Sequence, residues 1–475
     1  MTLAALTACL FGLLGAVVLV LVLWSHDIQS RKRTQRRHLE GGPILGFFHP
    51  FCDAGGGGER VLWVAIKAIQ DTWPNVVCVI YCWDNAGPVE QVLQKAKVQF
   101  NVDIDPSTVR FQTLKRWRFL EAERYRIFTL LGQSLGSVLV GWEAMQLLLP
   151  DVFIDTVGFA FVYPLAKYMF GCKVVAYTHY PTISADMLGK VVSGVTDFNN
   201  SSMVARSSVL TRGKIWYYRL FAWLYGIVGR TADVVMVNST WTLGHVNSIW
   251  KIPKRTAVVY PPCNTESLQS FSLENREPWI VSVAQFRPEK AHKLQLSAFQ
   301  TLLEREPKYR QEGSKIRLIL IGGSRNAEDR KRVEELKQYA EDCSIYEQVE
   351  FIENAKYSTL LEYLQKGSIG LHSMRDEHFG IGIVEYMAAG LIPVAHNSGG
   401  PKLDIVTMHQ GSKTGFLAET VNEFADALEE ALRLPSEEQL RMRIHARQHV
   451  VDRFSEESFS SRFVGALRKV IPDHQ

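Results

Sequence analysis

The chain has 475 residues, 47% of them hydrophobic, which exceeds what one hydrophobic core usually supports and is enough for two globular domains. Its formal net charge of +4 at pH 7 is too small to indicate a nucleic-acid-binding surface, so no nucleic acid is expected as a partner. The seven cysteines are scattered without a CxxC pair, which excludes a small disulfide-stabilised scaffold.

The first segment differs from the rest of the chain. Residues 2–24 form an uncharged run rich in Leu, Val and Ala, about long enough to cross a bilayer as a helix. No positive charge follows Met1, which favours a retained anchor over a cleaved signal. The basic run RKRTQRR at 31–37 follows, and positive flanks stay cytoplasmic. The sequence predicts a transmembrane anchor over 1–25, a basic linker over 26–43, and a single-pass protein with its remaining residues in the cytosol.

Apolar, β-rich runs then alternate with helical patterns in the first half of the chain. The runs are ILGFF at 44–48, VVCVIYC at 76–82, VFID at 152–155, KVVAYTH at 173–179 and DVVMVNS at 233–239. This alternation is typical of a mostly parallel sheet covered by helices on both faces. It predicts a doubly wound domain over 44–270, with a junction between 260–266 and 275–278, where Pro and polar residues interrupt the pattern.

A glycine run follows the first predicted strand. The stretch HPFCDAGGGGERVLW at 49–63 contains Gly55, Gly56, Gly57 and Gly58 and matches neither a Walker A loop nor a dinucleotide fingerprint. The glycines predict a loop that a ligand approaches closely. His179 lies just beyond a later strand, where an imidazole could bond to a substrate hydroxyl, although a lone histidine is more often structural.

Two segments of this half are unusually apolar, at 128–153 and 214–230. Polar, charged or glycine interruptions make neither a clean second span. One interpretation is that both are buried crossover helices, and the other is that 214–230 lies in the membrane interface. For the second interpretation the aromatic rings are Trp216, Tyr217, Tyr218, Phe221, Trp223 and Tyr225.

The alternating pattern repeats in the second half of the chain. The apolar runs are WIVSVAQ at 279–285, IRLILIGG at 316–323, VEFIE at 349–353, GSIGLHS at 367–373 and LIPVAHN at 391–397. They predict a second doubly wound domain over 271–475.

One loop of this domain carries a pair of carboxylates. In HSMRDEHFGIGIVEYMAAG at 372–390, Glu377 and Glu385 stand eight positions apart around a loop that enters an apolar helix. Backbone amides near Gly380 and Gly382 would sit at the helix N-terminus, which favours a phosphate. Glu385 could accept hydrogen bonds from a ribose diol, while Glu377 would face another part of the ligand. The alternative is an ordinary helix N-terminus with acidic residues.

Two further loops are predicted at the same sheet edge. VAQFRPEKAHK at 283–293 brings Arg287 and Lys290 there, and two cations suit a diphosphate, although an RPEK stretch alone is more often a solvated turn. HNSGGPKLD at 396–404 supplies Gly399 and Gly400. Three loops at one edge, two of them with glycines, predict a nucleotide site.

Taken together, these motifs resemble the retaining GT-B glycosyltransferases of family 4, over nearly everything after residue 43. The resemblance implies two Rossmann-like domains facing a cleft, the first on the acceptor side and the second binding a nucleotide sugar. The runs HPFCDAGGGGERVLW, YTHYPTIS and FRPEKAHKLQL are similar to those of the family's endoplasmic-reticulum α-1,2-mannosyltransferases. Members of that group take mannose from GDP-mannose to a dolichol-linked oligosaccharide on the cytosolic face of the membrane.

The resemblance also implies residue roles. Glu377 would contact the transferred mannose, and Glu385 the ribose. Lys290 and Arg287 would bind the diphosphate. The chain departs from the family pattern at Gln285, where many relatives carry Arg, so the cation role is assigned to Arg287, two positions later. A sugar hydroxyl would bond to His179 of the first domain. The implied donor-binding set is completed by Phe379, Gly380, Ile381, Gly382, Gly399 and Gly400.

No cofactor and no metal are expected, since the family needs none, and DID at 103–105 is interpreted as solvated surface. The expected partners are GDP-mannose, the dolichol-linked acceptor, the endoplasmic-reticulum membrane and other mannosyltransferases of the same pathway. Two alternatives stay open: a related membrane-bound transferase that uses UDP-N-acetylglucosamine, and a catalytically silent nucleotide-sugar-binding scaffold. Against the scaffold stands the presence of Glu377, Glu385, Arg287, Lys290 and His179 together.

Overall fold

A computed structural model of the chain describes residues 3–39, 42–84, 86–183, 208–311 and 313–471, with the backbone alone described for 3–19, 21 and 208–212. The chain groups into two compact units. The first comprises Met1–Val237, Gly244–Ala257 and Ser461–Gln475, and the second comprises Asn238–Leu243 and Val258–Ser460.

The first unit is built on a parallel sheet in the order β3-β2-β1-β4-β5-β6-β7. The strand β1 pairs in parallel with both β2 and β4, so the chain leaves β1 in one direction and returns on its other side. Such a reversal opens a crevice outside the carboxyl ends of the two strands. The strands are β1 (Ile44–Phe48), β2 (Val77–Trp83), β3 (Val109–Leu114), β4 (Val152–Asp155), β5 (Lys173–Thr178), β6 (Val234–Val237) and β7 (Thr256–Val258).

The helices of this half of the chain cover the sheet or extend from it. In α2 the run from Val61 to Ile66 is buried, as expected for a helix that packs on a sheet inside a larger domain. The bounds are α1 (Leu3–His38), α2 (Gly57–Thr72), α3 (Val89–Phe100), α4 (Thr129–Leu147), α5 (Ser208–Gly229) and α6 (Thr240–Trp250).

The basic residues after the apolar N-terminal run belong to a helix and not to the linker predicted over 26–43. The helix α1 continues to His38, and Arg31 donates from Nη2 to the carbonyl of Met145 at 3.1 Å. Lys32 donates to the carbonyl of Gly171 at 2.9 Å, and Arg36 pairs with Asp151 at 2.7 Å. Met145 lies in the last turn of α4, whose unpaired carbonyls attract cations, so the basic run docks α1 on the first unit.

An aromatic contact adds to this docking. Trp24 of α1 stacks on Trp142 of α4 with ring centroids 6.0 Å apart, and its indole N–H donates to the carbonyl of Met169 at 2.7 Å. In the parts of the chain that the structure describes, no helix has the length and apolar character needed to cross a membrane.

The aromatic segment 214–230 lies in α5 and has two different faces. Phe221 and Tyr225 are buried and stack on each other with centroids 6.3 Å apart, so assigning these two rings to the membrane interface was wrong. Trp216 and Trp223 are 72% and 62% exposed. Core packing therefore accounts for one face of α5 and leaves an apolar stripe on the other.

The second unit contains a parallel sheet in the order β10-β9-β8-β11-β12-β13, in which β8 pairs in parallel with both β9 and β11. The strands are β8 (Glu277–Val283), β9 (Arg317–Gly322), β10 (Val349–Glu353), β11 (Gly367–His372), β12 (Ile392–His396) and β13 (Phe416–Ala418). The helices of this half of the chain are α7 (His292–Arg305), α8 (Ala327–Asp342), α9 (Tyr357–Lys366), α10 (Ile381–Ala389), α11 (Val421–Arg433), α12 (Ser436–Phe454) and α13 (Glu456–Leu467), the last of which continues into the first unit. The prediction of two doubly wound parallel sheets is confirmed.

The boundary between the units lies earlier than the junction placed at 270 from the sequence. Tyr260 stacks on Phe379 with ring centroids 5.8 Å apart and meets Phe454 at 4.8 Å. The backbone N–H of Cys263 donates to the carbonyl of Phe454 at 3.0 Å. These contacts hold the segment after Val258 to the second unit, while Ser461–Gln475 groups with the first.

Candidate active site

The candidate site lies where the strand order of the second sheet reverses, between β8 and β11. The loop 284–291 follows β8, and the loop 373–380 follows β11. Adjacent parallel strands place these loops side by side at the carboxyl edge of the sheet, which is where open α/β sheets bind ligands. The fold thus brings together Lys290 and Glu377, which are 87 positions apart in the sequence.

A carboxylate with two basic neighbours forms the centre of this edge. Glu377 Oε2 accepts a hydrogen bond from Lys290 Nζ at 2.8 Å and lies 3.3 Å from His372 Nε2. The other oxygen, Oε1, accepts the backbone N–H of His378 at 3.2 Å. Burial would raise the pKa of Glu377, but its hydrogen bond to His372 and the charges of His372 and Lys290 hold that pKa well below its usual value. The carboxylate is therefore ionised at neutral pH.

A chain of hydrogen bonds fixes the Lys290 loop to the end of β11. Ser373 donates from its hydroxyl to the carbonyl of Lys290 at 2.8 Å, and Gln295 of α7 donates to the Ser373 hydroxyl at 2.8 Å. Ala291 turns the chain with φ of +51°, a left-handed conformation uncommon for a residue with a Cβ. The position of the Lys290 backbone is therefore set by the neighbouring strand as well as by its own loop.

The helix α10 begins beside Glu377. Gly380 caps it with φ of +114°, which favours glycine. The first backbone N–H groups of a helix have no intrahelical acceptor, and the helix dipole favours an anion there. The side chains of Phe379, Ile383 and Val384 belong to the core beneath. At this point the chain can offer a ligand its backbone, including the amides of Ile381 and Gly382.

The glycine pair Gly399–Gly400 supports the Glu377 loop from behind. A Cβ built on Gly399 would lie 2.2 Å from the carbonyl oxygen of Glu377, and one on Gly400 would lie 2.5 Å from that of Phe379. The N–H of Gly400 donates to the Glu377 carbonyl at 2.8 Å. A residue with a Cβ would clash at either position, so glycine is required here. The group that comes close to these glycines is the backbone of the Glu377 loop, whereas the sequence predicted a ligand.

Glu385 lies one turn into α10 and is half-buried. The next residue, Tyr386, accepts the N–H of Val283 on its hydroxyl at 2.6 Å, which fixes α10 against the end of β8. Residues four apart share a helix face, so Glu385 lies on the same face as Ile381 in the first turn. This puts the second glutamate on the helix that starts at the candidate phosphate site.

Arg287 differs from Lys290 although both belong to the RPEK loop. Its side chain is 40% exposed, and its nearest carboxylate partner, Glu289, is 4.0 Å away. Exposed pairs of this kind contribute little. Of the two predicted cations, Lys290 is the one that the described structure connects to Glu377.

The first unit has a polar cluster at its own reversal point, between β1 and β4. His49 Nδ1 lies 2.7 Å from Thr156 Oγ1, and His49 Nε2 lies 3.3 Å from Glu59 Oε1. Burial would raise the pKa of Glu59, but its hydrogen bond and attraction to His49 and the backbone bond from Gly56 lower it overall. Each of His49, Thr156 and His372 sits at the end of a parallel strand, and that position is the signal that could have identified them.

The predicted glycine loop lies beside His179, and its last two glycines, Gly57 and Gly58, form the start of α2 and do not belong to a loop. A Cβ built on Gly58 would lie 3.7 Å from His179 Nε2, and the His179 ring packs edge-on against Tyr177 with centroids 4.9 Å apart. Gly55 has φ of +84°, and its carbonyl accepts a hydrogen bond from Gln99 at 2.8 Å. The loop and the histidine therefore form one surface at the carboxyl edge of the first sheet.

Over the described ranges, no group of three or more His, Cys, Asp or Glu side chains could hold a metal ion. Both acidic residues of the stretch at 103–105 interact with nearby protein groups. Asp103 pairs with Lys97 at 3.1 Å, and Asp105 accepts the N–H of Ser107 at 2.9 Å.

Comparisons with known proteins identify the family of both halves of the chain. Residues 42–250 match the family profile described as ALG11 mannosyltransferase N-terminus, and residues 264–449 match that of glycosyl transferases group 1. The fold is similar to that of Anabaena Alr3699/HepE in complex with UDP, with a TM-score of 0.61, 16% identity, and coverage of 90% of this chain and 100% of that one.

Curated relatives are much closer in sequence. The GDP-Man:Man(3)GlcNAc(2)-PP-Dol alpha-1,2-mannosyltransferase of Mus musculus is 45% identical over 463 residues, covering 96% of this chain and 93% of the relative. The protein of the same name from Homo sapiens is also 45% identical with the same coverage. The chain therefore belongs to the GDP-Man:Man(3)GlcNAc(2)-PP-Dol alpha-1,2-mannosyltransferase family.

Proposed function

We propose that this chain transfers mannose from GDP-mannose in α-1,2 linkage to a dolichol-diphosphate-linked oligomannose, with retention of anomeric configuration. Its family membership supports the mannosyltransferase activity. The single structural observation that carries the proposal is the contact of Lys290 and His372 with Glu377 at the reversal point of the second sheet. An ionised carboxylate, a cation and a helix N-terminus at one edge suit a sugar joined to a diphosphate.

The donor is bound by the second unit in this proposal. The ribose hydroxyls donate to Glu385, and the diphosphate lies against the amides at the start of α10, with Lys290 beside it and Arg287 in a minor role. Glu377 accepts a hydroxyl of the transferred mannose. As the glycosidic bond breaks, negative charge grows on the leaving GDP, and positive groups fixed beforehand stabilise that charge without reorganisation.

Retention follows from a front-face displacement. Glu377 is already engaged by Lys290 through one of its oxygens, which suits a binding role better than that of a covalent nucleophile. The acceptor hydroxyl attacks from the side that the diphosphate leaves, and the leaving diphosphate takes its proton. Lys290 and the helix dipole supply the positive charge that this step needs.

The acceptor side of the proposal uses the first unit. The loop Gly55–Gly58 lets a sugar approach the backbone, and His179 beside it bonds to a sugar hydroxyl. The Glu59 carboxylate, oriented by His49, adds a hydrogen-bond acceptor of the kind that sugar hydroxyls require.

Membrane attachment is also proposed. The uncharged run at 2–24 anchors the chain in the endoplasmic-reticulum membrane, with both units on the cytosolic side and other mannosyltransferases of the pathway as neighbours. Support comes from the docking of α1 through Trp24 and Arg31, and from the exposed Trp216 and Trp223 on α5, since tryptophan suits the membrane interface.

The experiment for the reaction is a donor panel. The purified full chain is incubated with a lipid-linked Man(3)GlcNAc(2) acceptor and, separately, with GDP-mannose and UDP-N-acetylglucosamine. Mannose transfer that an α-1,2-mannosidase reverses is the expected result. Transfer from the UDP-sugar alone would favour the related transferase, and binding without transfer would favour a silent scaffold.

The experiment for the membrane uses sealed microsomes and liposomes. A tag before Met1 should be protected from protease and one after Gln475 should be cleaved; the opposite pattern contradicts the proposed orientation. A chain lacking 1–37 should keep residual liposome binding, which Trp216→Ser with Trp223→Ser removes. Phe221→Ser is not used, because that ring is buried and its loss would disturb the fold.

A further inference from the structure

The residue at the end of β11, His372, has an arrangement that packing does not explain. Its side chain is 7% exposed, and its Nε2 lies 3.3 Å from Glu377 Oε2. Its other nitrogen, Nδ1, is buried and has no hydrogen-bond partner among the described residues. A buried polar atom without a partner costs folding free energy, which a leucine of similar size would avoid. The unpartnered Nδ1 therefore opposes stability, and the contact of Nε2 with Glu377 is the feature that accounts for an imidazole here.

The contact with Glu377 defines what the imidazole does. A carboxylate accepts hydrogen bonds and cannot donate them when ionised, so the His372 nitrogen that faces it carries the proton. Lys290 Nζ donates to the same oxygen at 2.8 Å. Oε2 is thus held from two elements, β11 and the loop after β8.

The second carboxylate oxygen has a different environment. Oε1 of Glu377 accepts the neighbouring N–H of His378 at 3.2 Å. A carboxylate oxygen has two lone pairs, so Oε1 keeps the capacity for another donor. Fixing Oε2 from two sides determines the rotation of the carboxylate and therefore the direction in which Oε1 accepts a hydroxyl.

We propose that His372 is a positioning residue for the transferred sugar: its Nε2–H, together with Lys290, fixes Glu377 so that Oε1 is presented to a sugar hydroxyl. This inference rests on the proposed function and adds to it a residue that does not itself touch substrate. Loss of this positioning should lower the rate of the chemical step, because small displacements of reacting groups are costly. The contacts of the second unit with the nucleotide should stay unchanged.

Substitution of His372 by Gln or Asn distinguishes the role of its Nε2 from that of its Nδ1. In His372→Gln the amide nitrogen can reach the place of Nε2, whereas in His372→Asn it reaches only that of Nδ1. His372→Leu keeps the volume and removes both. Outer partners that orient a reacting group are typically worth about 10–100-fold, so kcat should fall by that factor in the Asn and Leu variants and much less in the Gln variant. The KM for GDP-mannose should change by less than about threefold in all of them.

A matched control is His292, which is also buried and whose Nδ1 has no hydrogen-bond partner in the described parts of the chain. Its ring packs on Phe286 with centroids 5.0 Å apart. His292→Leu should therefore retain kcat to a greater degree than His372→Leu.

The measurement is steady-state mannose transfer by the full chain, with thermal denaturation of every variant. Equal kcat for the Gln and Asn variants would overturn the positioning role, as would wild-type kcat in the Leu variant. If the Leu variant does not fold, the Gln and Asn pair decides. Absence of transfer by the wild-type chain would instead refute the proposed function, so the two failures are distinguishable.

Discussion

In both units a histidine and a glutamate meet where the strand order of a parallel sheet reverses, but their surroundings differ. His49 lies 3.3 Å from Glu59 in the first unit, and His372 lies 3.3 Å from Glu377 in the second. The third member is the hydroxyl of Thr156 in the first case and the ammonium of Lys290 in the second. One topology thus supports a carboxylate and a hydroxyl around a histidine in the first unit, which suits sugar hydroxyls, and a carboxylate paired with a cation in the second, which suits a sugar diphosphate.

The helices that start at these edges show the same contrast. Glu59 is in the first turn of α2 and accepts the backbone N–H of Gly56, so the positive end of that helix already has a carboxylate from its own chain. The first turn of α10 has no acidic residue. Since a helix N-terminus favours one nearby anion, the start of α10 is the one suited to an external phosphate.

The largest expected effect comes from removing the second-unit carboxylate. Glu377→Ala should lower kcat by about 100-fold or more, on the scale of losing one fixed group that acts in the transition state, with a smaller change in nucleotide affinity. The matched change in the first unit, Glu59→Ala, should have a much smaller effect on kcat. Comparable losses of kcat in the two variants would contradict the distinction drawn between the carboxylates of the two units.

Removing the cation should have the next largest effect. Lys290→Ala deletes a charge-assisted contact and should cost about 1.5–3 kcal/mol of transition-state stabilisation, measured from kcat/KM. Arg287→Ala is the control from the same loop and should change kcat/KM by less than about threefold, because that side chain is 40% exposed. Similar effects for both residues would show that the distinction drawn between the two cations is wrong.

The contrast between helix starts can be removed by one substitution. Gly382→Glu puts an acid into the first turn of α10, as Glu59 does in α2. A Cβ at this position would lie 3.9 Å from the Val283 carbonyl oxygen, which is ordinary van der Waals contact. GDP affinity should fall by about three- to tenfold, more than in Gly382→Gln, because a like charge then faces the diphosphate. Calorimetry distinguishes the two variants, and equal affinities would contradict the role of the helix dipole.

The smallest effect concerns stability below neutral pH. Burial, then the charges of Lys290 and His372, lower the pKa of His292 to about 4. In the unfolded chain its pKa is about 6.5, so between these values the unfolded state binds more protons and stability falls as pH falls. Thermal denaturation between pH 6.5 and 4 should show a weaker pH dependence in His292→Phe than in the wild type. Equal slopes in the two proteins would mean that folding does not lower the pKa of His292.

Much of this arrangement follows from sequence pattern alone. Apolar runs identified both sheets, and because parallel strands end at one edge, the loops of Lys290 and Glu377 were expected to lie together. Side-chain direction did not follow from spacing. Phe379, placed in the donor-binding set, has a buried side chain, and Gly399 approaches the Glu377 backbone. The role of the basic run could not be deduced either, since it depends on carbonyls of α4 that lie about a hundred residues away.

The most direct test of the account is whether the second unit alone determines nucleotide affinity. GDP binding is measured by calorimetry for the wild-type chain, Glu385→Gln and Glu59→Gln, which remove one carboxylate charge from each unit. We expect GDP affinity to fall by about tenfold in Glu385→Gln, on the scale of a lost hydrogen bond to a charged group, and to stay within twofold of wild type in Glu59→Gln. Weaker GDP binding in Glu59→Gln with wild-type affinity in Glu385→Gln would contradict the assignment of the nucleotide to the edge where Lys290 meets Glu377.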